Sequence, residues 1–482
     1  MASRWPWVAL AGALVAAAQG CDEDEPPKYR IGGTVIGLTG KLLVLSTEGR
    51  PPVSLDAGAT HFTFDGEVRD GTRYDVKVQD QPTVGTCTVS QGKGTVSGAD
   101  VTVSVTCQGT SGWTSAGPLK HARGYLPASA TLESGKVLVA GGHTDPTDPG
   151  WFSEITNSAE VFDPSVGGWS PTGSMTVPRR SACGVRLASG KVLVAGGWRE
   201  GPPGVFTSER TAELYDPVGG TWTRTGDMTA TRPITTCVLL DSGEVLVTGL
   251  ADEQEAKGSV DLFDPATGTF ARTGAYAHPR WNPTLTKLAN GKVLAAGGRL
   301  DVAPFDETAT AELYDPQSGT WSPAGALPAG VLCAAAVLLP SGKVLVTGGC
   351  SNDSTCGAGQ VGSPSGLDAE RWARLYDPAT NGWSDAGTMA VGRTGHALLP
   401  LPSGRVLAAG GGFRAGTRRA SELYDPATNT WSPAPSSPSM HVFGFAARLN
   451  DGRWLVAGGL GEHAFRQGSQ DNVLEDTEIF EE

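Results

Sequence analysis

A unit of about fifty residues repeats through the C-terminal three quarters of this chain, and nothing else restricts its fold as tightly. Its clearest copy, residues 190–222, runs GKVLVAGGWREGPPGVFTSERTAELYDPVGGTW. It holds a turn, an apolar run ending in a Gly pair, a variable polar loop, then ELYDP, a tight turn and a Trp. Gly pairs begin at Gly141, Gly196, Gly297, Gly348, Gly410 and Gly458, with Gly249-Leu250 as a degenerate copy; the intervals are 55, 53, 48, 51, 62 and 48 residues. FDP or YDP recurs with its Asp at Asp163, Asp216, Asp264, Asp315, Asp377 and Asp425. An aromatic follows each at Trp169, Trp222, Phe270, Trp321, Trp383 and Trp431. A period near 50 with four strand-like runs per copy predicts a β-propeller. SACGVRLA and KVLVAGG read as one hairpin, ELYD and TW as a second through the DP turn. The Gly pair permits close backbone approach or positive φ, and the Trp fills the gap between neighbouring blades.

The joint pattern of apolar run, Gly-Gly, Glu-x-Tyr-Asp-Pro and Trp resembles the kelch repeat, from about Trp113 to Phe480. The resemblance implies an all-β chain with a seven-bladed kelch-type propeller over residues 111–482. Trp113 with AGPL reads as a fourth strand lacking its first three, and residues 441–480 lack a closing Trp. Six complete units and these two fragments make seven blades, with the N-terminal strand joining the C-terminal three. Such closure leaves no exposed inner edge.

Ahead of the array the composition changes twice. Residues 1–20 carry one basic residue, Arg4, an apolar run too short to span a bilayer, and small residues before Cys21. These are marks of a signal peptide. Cys21 resembles the lipidated Cys of bacterial lipoproteins, with Gln19 and Ala18 as departures from that pattern; ordinary signal-peptide cleavage is the alternative, and either exports the chain. Residues 21–30 are an acidic tether. Residues 31–108 hold about seven short Val- and Thr-rich runs and read as a β-sandwich. GGTVIGLTG and GTVSGADVTVSVTC resemble the immunoglobulin-like modules of bacterial envelope proteins, which implies a spacer.

Export gives the cysteines a context. Cys87 with Cys107, in two strand-like runs, and Cys350 with Cys356, bracketing one loop, are expected disulfides. Cys183, Cys237 and Cys333 are expected to be buried thiols. No CxxC spacing points to a metal site, and no motif points to a cofactor. The net charge of −13 excludes a nucleic-acid partner; contact with a membrane is expected through the lipid at Cys21 alone.

Two constellations bear on function. Seventeen residues before the Gly pairs stand Arg179, Arg232, Arg280, Val331, Arg393 and His441, with Arg123 in the first copy. The matching acids are Glu160, Glu213, Asp261, Glu312, Glu422 and Glu478, while the fifth copy has Arg374 there. Only that copy has no basic residue at the first position, and only it loses the acid. The reading is an Arg–carboxylate pair inside each blade rather than a cationic rim. The loops after the Gly pairs are the ligand candidates, because loops on a rigid ring vary freely. They carry Trp151, Trp198, Phe413 and Phe465, with Trp372 beside the longest; His143 and His463 lie on neighbouring blades across the closure.

Kelch propellers include copper radical oxidases similar to galactose oxidase, which need two tyrosines, two histidines and a cysteine cross-linked to one tyrosine. Outside the repeat motifs and the N-terminal segment only Tyr125 and Tyr276 are left, with no matching His pair. The expectation from sequence is therefore non-catalytic recognition of a protein or glycan at the propeller rim. The alternative is a kelch-type carbohydrate-active enzyme, a sugar epimerase or oxidase-like protein, with its site in the channel.

Overall fold

The computed structural model describes residues 27–144, 154–200, 206–251, 256–300, 306–351, 369–411, 419–461 and 473–482. Cys21, Trp151, Cys356, Phe413, His463 and Phe465 lie outside these residues.

The second strand of each repeat explains the architecture. Val137–Ala140, Val192–Ala195, Val293–Ala296 and Val406–Ala409 are buried at every position. A strand covered on both faces needs a continuous apolar run, not alternation, so each such strand must sit between two others within a sheet and between two sheets. Six antiparallel four-stranded sheets result, with first strands Ala128–Thr131, Cys183–Arg186, Thr235–Leu239, Thr284–Lys287, Ala335–Leu338 and Ala397–Pro400. A seventh set takes Phe445–Arg448, Trp454–Ala457 and Thr477–Glu481 from one end of the chain and Val101–Ser115 from the other. The seven first strands touch in sequence, and the last touches the first, so the sheets close into a ring around an axial channel. The chain is an all-β propeller.

The motif aromatics hold neighbouring sheets together. Tyr215 lies opposite Trp222, Tyr314 opposite Trp321 and Tyr424 opposite Trp431, with each pair of rings 5.1 Å apart. In the seventh sheet Trp113 lies opposite Phe480, again at 5.1 Å, supplying the aromatic that the last repeat lacks. Each indole then reaches the preceding sheet: Trp222 Nε1 donates to Gly173 O at 2.7 Å, Trp321 to Gly274 O at 2.9 Å, Trp383 to Ala324 O at 2.7 Å and Trp113 to Pro435 O at 2.9 Å. An aromatic contact adds about 0.5–1.5 kcal/mol beyond burial, and the hydrogen bond about 1 kcal/mol. The same seam explains a glycine. Gly274 N donates to Gly319 O at 2.9 Å, and a Cβ at Gly274 would overlap that oxygen.

Strand Val101–Ser115 also belongs to the N-terminal β module. Its first half pairs in parallel with Ile31–Ile36 and antiparallel with Val84–Ser90, and its last residues pair with Thr477–Glu481. The domain boundary placed between residues 108 and 111 thus falls inside one continuous strand, because the register that finishes the module also finishes the ring. Further ties cross the junction: Trp113 N to Thr83 O at 2.7 Å, Ser436 N to Pro82 O at 3.0 Å, and Arg419 to Asp80 at 3.6 Å. The module's core is formed around Leu43, Leu45, Phe62, Phe64, Val103 and Val105.

Disulfides place the chain in an oxidising, exported environment. Cys87 and Cys107 are bonded, 4.0 Å apart at Cα. Cys183 and Cys237 are also bonded, at 5.8 Å, which corrects the expectation of buried thiols there. The first strands converge on the axis, so residues one repeat apart in sequence come side by side. Cys350 is disulfide-bonded; its expected partner Cys356 lies outside the described residues. Cys333 is a thiol.

Candidate functional site

The repeated arginines face inward and away from the channel. Arg179, Arg232, Arg280 and Arg393 are at most 1% exposed. Their nitrogens lie 3.3 Å from Glu213, 3.6 Å from Asp261, 2.6 Å from Glu312 and 3.1 Å from Glu422. Arg123 lies 2.9 Å from Glu160. Each arginine also donates to the carbonyl of the first Gly of its pair, as Arg179 does to Gly196 O at 2.9 Å. Each acid accepts backbone N–H groups from the preceding linker: Glu213 takes Thr176 and Val177, Glu312 takes Ala277 and His278. Burial pushes the Arg123, Arg179 and Arg393 guanidinium groups down from their usual range, against the pull of their carboxylates. In the last repeat His441 replaces the arginine, reaching Gly458 O at 2.8 Å and Glu478. These pairs are committed to fixing sheets to linkers and offer nothing to a ligand.

The rim candidates among the described residues are built into the fold. Trp198 sits half-buried in a short strand paired with Phe206–Ser208. Trp372 begins a third strand and packs in the core between the fourth and fifth sheets. His143 is 1% exposed, with its ring 5.6 Å from that of Tyr125. They correct the expectation of an exposed aromatic rim.

What converges on the axis is a different set, two residues beyond each arginine position. Tyr125, Ser181, Asn282, Cys333 and Phe443 have φ of 55°, 53°, 52°, 57° and 55°, and Gly395 has 58°. The third repeat has Ile234 there; a β-branched side chain disfavours this backbone region, and Ile234 stays out of it. Backbone bonds link these residues from sheet to sheet: Leu126 N to Phe443 O at 3.0 Å, Phe443 N to Gly395 O at 3.0 Å, Gly395 N to Cys333 O at 3.2 Å, Ser181 N to Tyr125 O at 3.2 Å. The result is a hydrogen-bonded collar around one mouth of the channel. No signal for it exists in a single sequence beyond the fixed distance from the arginine.

Inside the collar lies a cavity of about 500 Å³. Ser129, Ser181, Thr235, Thr236, Thr284 and His396 present polar groups, and Leu285, Leu398, Phe445 and Trp454 present apolar ones. Among the described residues no charged side chain lines it. A smaller chamber of about 140 Å³ adjoins it, where Asn282, Cys333, His396 and Phe443 meet. Asn282 Nδ2 donates to Cys333 Sγ at 3.3 Å. Burial pushes the Cys333 thiol up to about 12, so it is protonated at neutral pH and no nucleophile. His396 Nε2 bonds Thr347 Oγ1 at 2.8 Å. Burial, and then the Arg393 charge, hold this imidazole down at about 3, and it stays neutral.

Among the described residues the channel does not assemble a copper radical site. Tyr125 packs with Val442 and Leu460, under Arg180. Tyr276 belongs to a separate cluster, its ring 4.3 Å from that of Trp321. The two tyrosines do not meet, and no group of three His, Cys, Asp or Glu among the described residues is placed to hold a metal.

Comparisons with known proteins fit this geometry. The Kelch motif matches residues 179–229. A solved fungal alcohol oxidase of the AA5 family, in complex with copper, aligns over 77% of this chain and 76% of its own, with TM-score 0.57 and 17% identity. A structure of the protein YjhT aligns over 65% of this chain and 99% of its own, with TM-score 0.48 and 16% identity. No curated protein matches the chain. The expectation of non-catalytic recognition is corrected on two counts: the described rim aromatics serve the sheets, and the shared fold is one that carries an enzyme. The chain is thus a β-propeller that carries the Kelch motif at residues 179–229.

Proposed function

We propose that this protein is a carbohydrate-active enzyme of the cell envelope, working in the uncharged channel inside the collar. The collar carries the reading. Of its five non-glycine residues with φ between 52° and 57°, Ser181 and Asn282 line the large cavity and Asn282, Cys333 and Phe443 the small chamber beside it, and left-handed backbone of this kind costs on the order of 1–3 kcal/mol per residue and gathers at functional sites. Hydroxyl side chains interleaved with Phe445 and Trp454 suit a sugar, which offers hydroxyl groups at its edge and C–H groups on its face. The alcohol oxidase fold neighbour supports a hydroxyl-bearing substrate. Its copper chemistry is not carried over, because the donor set is not assembled here. The reaction proposed is epimerisation at the anomeric carbon: the anomeric hydroxyl loses a proton as the ring oxygen gains one and the C1–O5 bond breaks, the open-chain aldehyde rotates about C1–C2, and the bond re-forms on its other face as the protons return, with no electron transferred. Ser181 and Thr235 are available to relay protons, Asn282 to hold a hydroxyl and His396 to position the substrate. Lipidation at Cys21, with residues 21–30 as a tether, would hold the enzyme at the membrane.

Anomer exchange of neutral aldoses, followed by NMR with the full chain, tests this. We expect exchange faster than in buffer, reduced at least tenfold in His396→Gln and unchanged in Val218→Ser, a fully exposed site. Buffer-level exchange across the panel would overturn the proposal.

A further inference from the structure

The small chamber beside the channel has a feature that the fold alone does not require. His396 is 8% exposed. Its Nε2 is committed to Thr347, while Nδ1 is buried with no hydrogen-bond partner. The ring packs against two glycines whose positive φ and close carbonyls, Arg393 O and Thr394 O, already exclude a side chain: a Cβ on Gly348 would also press on His396 Cε1, and one on Gly411 would collide with the His396 Cβ. Both glycines belong to the doublets of neighbouring repeats. Native proteins leave few buried polar atoms unsatisfied, and each asks for an account.

We infer that this chamber is a subsite for an uncharged, hydroxyl-bearing end of the substrate, with His396 Nδ1 as its hydrogen-bond partner. The inference rests on the channel being the substrate site. A hydroxyl satisfies either tautomer, since it donates to a bare nitrogen and accepts from an N–H. At about 140 Å³ the chamber resembles engineered cavities of roughly 150 Å³ that hold one benzene. It therefore takes a hydroxymethyl group and its neighbouring carbons, and leaves the sugar ring to the larger cavity. Leu126, Phe443 and Phe445 supply apolar walls for the carbons.

Charge sets the selectivity. The titratable groups facing the chamber are His396, Cys333 and His441. The first is held neutral and the second protonated. His441 is committed through both nitrogens to Gly458 O and Glu478. Arg393 lies behind, occupied by Gly410 O and Glu422. A carboxylate entering here would lose its hydration and meet no free cation.

The test compares three methyl glycosides that differ only at C6: hydroxymethyl, methyl (6-deoxy) and carboxylate (uronic acid), in the gluco, galacto and manno series. Binding to the full chain is read by calorimetry, and the His396 ring nitrogens are followed by ¹⁵N NMR. The hydroxymethyl sugar of at least one series should bind at least tenfold tighter than its 6-deoxy and carboxylate counterparts and shift Nδ1. His396→Phe should bring its affinity down to that of the 6-deoxy sugar. Equal binding of the three, tightest binding of the carboxylate, an unmoved Nδ1, or no binding in any series would each overturn the inference. The comparison within the wild-type protein decides the matter even where His396→Phe fails to fold. Selective binding without anomer exchange would sink the enzyme reading and leave the subsite standing; exchange without C6 selectivity would do the reverse.

Discussion

Arg280→Met tests whether the repeated ion pair holds the ring together. Arg280 is fully buried and makes four contacts through its terminal nitrogens: Glu312 at 2.6 Å, Thr310 O at 2.6 Å, Thr310 Oγ1 at 2.7 Å and Gly297 O at 3.1 Å. Methionine keeps much of the apolar stem and removes the charge. Glu312, 2% exposed, would keep the Ala277 and His278 N–H groups and the His278 imidazole 3.6 Å away. Breaking a buried pair from one side costs about 3–5 kcal/mol, a figure that already contains the orphaned partners. The double variant Arg280→Met/Glu312→Leu removes the stranded charge but leaves those two N–H groups without an acceptor, at about 1–3 kcal/mol each. It should therefore recover part of the loss and not all. The fifth repeat shows how the pair can be dropped cleanly. Val331 and Arg374 replace it, Arg374 turns outward to Asp385, and one linker N–H disappears because residue 328 is proline. Urea unfolding followed by tryptophan fluorescence measures both variants. A single-variant loss under 1 kcal/mol, or losses that simply add in the double variant, would refute the argument.

Three shorter predictions follow from the same structure. Burial holds His396 down at about 3 in the fold against its ordinary 6.5, so the unfolded chain takes up its proton first; the stabilisation is complete above pH 6.5 and is lost as pH falls toward 3, at up to about 1.4 kcal/mol per unit. His396→Gln should flatten that part of the stability–pH curve, measured by urea midpoints between pH 4 and 7. Gly274→Ala should destabilise the ring by about 1–3 kcal/mol through overlap with Gly319 O, whereas Gly168→Ala, with open space around its Cβ, should stay within about 0.5 kcal/mol; parallel thermal melts separate the two. Cys183→Ala opens a loop of 54 residues and should lower stability by about 4 kcal/mol on the chain-entropy estimate, seen as a lower melting temperature on which reductant has a smaller effect than in the unchanged chain.

The fold was legible because each repeat writes the same local requirements. An apolar run wants burial on both faces, a Gly doublet turns the chain, and an aromatic spans the seam; together they leave the propeller as the solution. The site was not legible, for two physical reasons. Trp198 and His143, after Gly pairs, and Trp372, beside the longest loop, looked like loop residues, yet Trp198 is half-buried in a strand, Trp372 packs against the core from another and His143 is buried. Residues that do face the axis, Asn282, Cys333 and His396, share no residue type. What unites Asn282 and Cys333 is a backbone conformation, and what distinguishes His396 is its packing against Gly348 and Gly411. Cys183 and Cys237 failed as thiols for a related reason: their pairing depends on how closely first strands converge, which periodicity does not measure.

Ring closure and site rigidity meet in one strand. The collar bond from Leu126 N to Phe443 O joins the first sheet to the seventh, the place where the chain's two ends come together. A ring closed there only by Thr477–Glu481 would open by fraying one terminal strand. Val101–Ser115 prevents this by pairing with that strand at one end and with Ile31–Ile36 and Val84–Ser90 at the other. The Cys87–Cys107 bond fastens the pairing at its midpoint. To open the ring, the chain must pull residues 112–115 out of register while residues 101–107 stay held in a second hydrophobic core. Strained backbone persists only where its surroundings over-determine it, and the N-terminal module contributes that over-determination at the seam. It acts on the channel without touching it, which is why its sequence carries no ligand signature of its own.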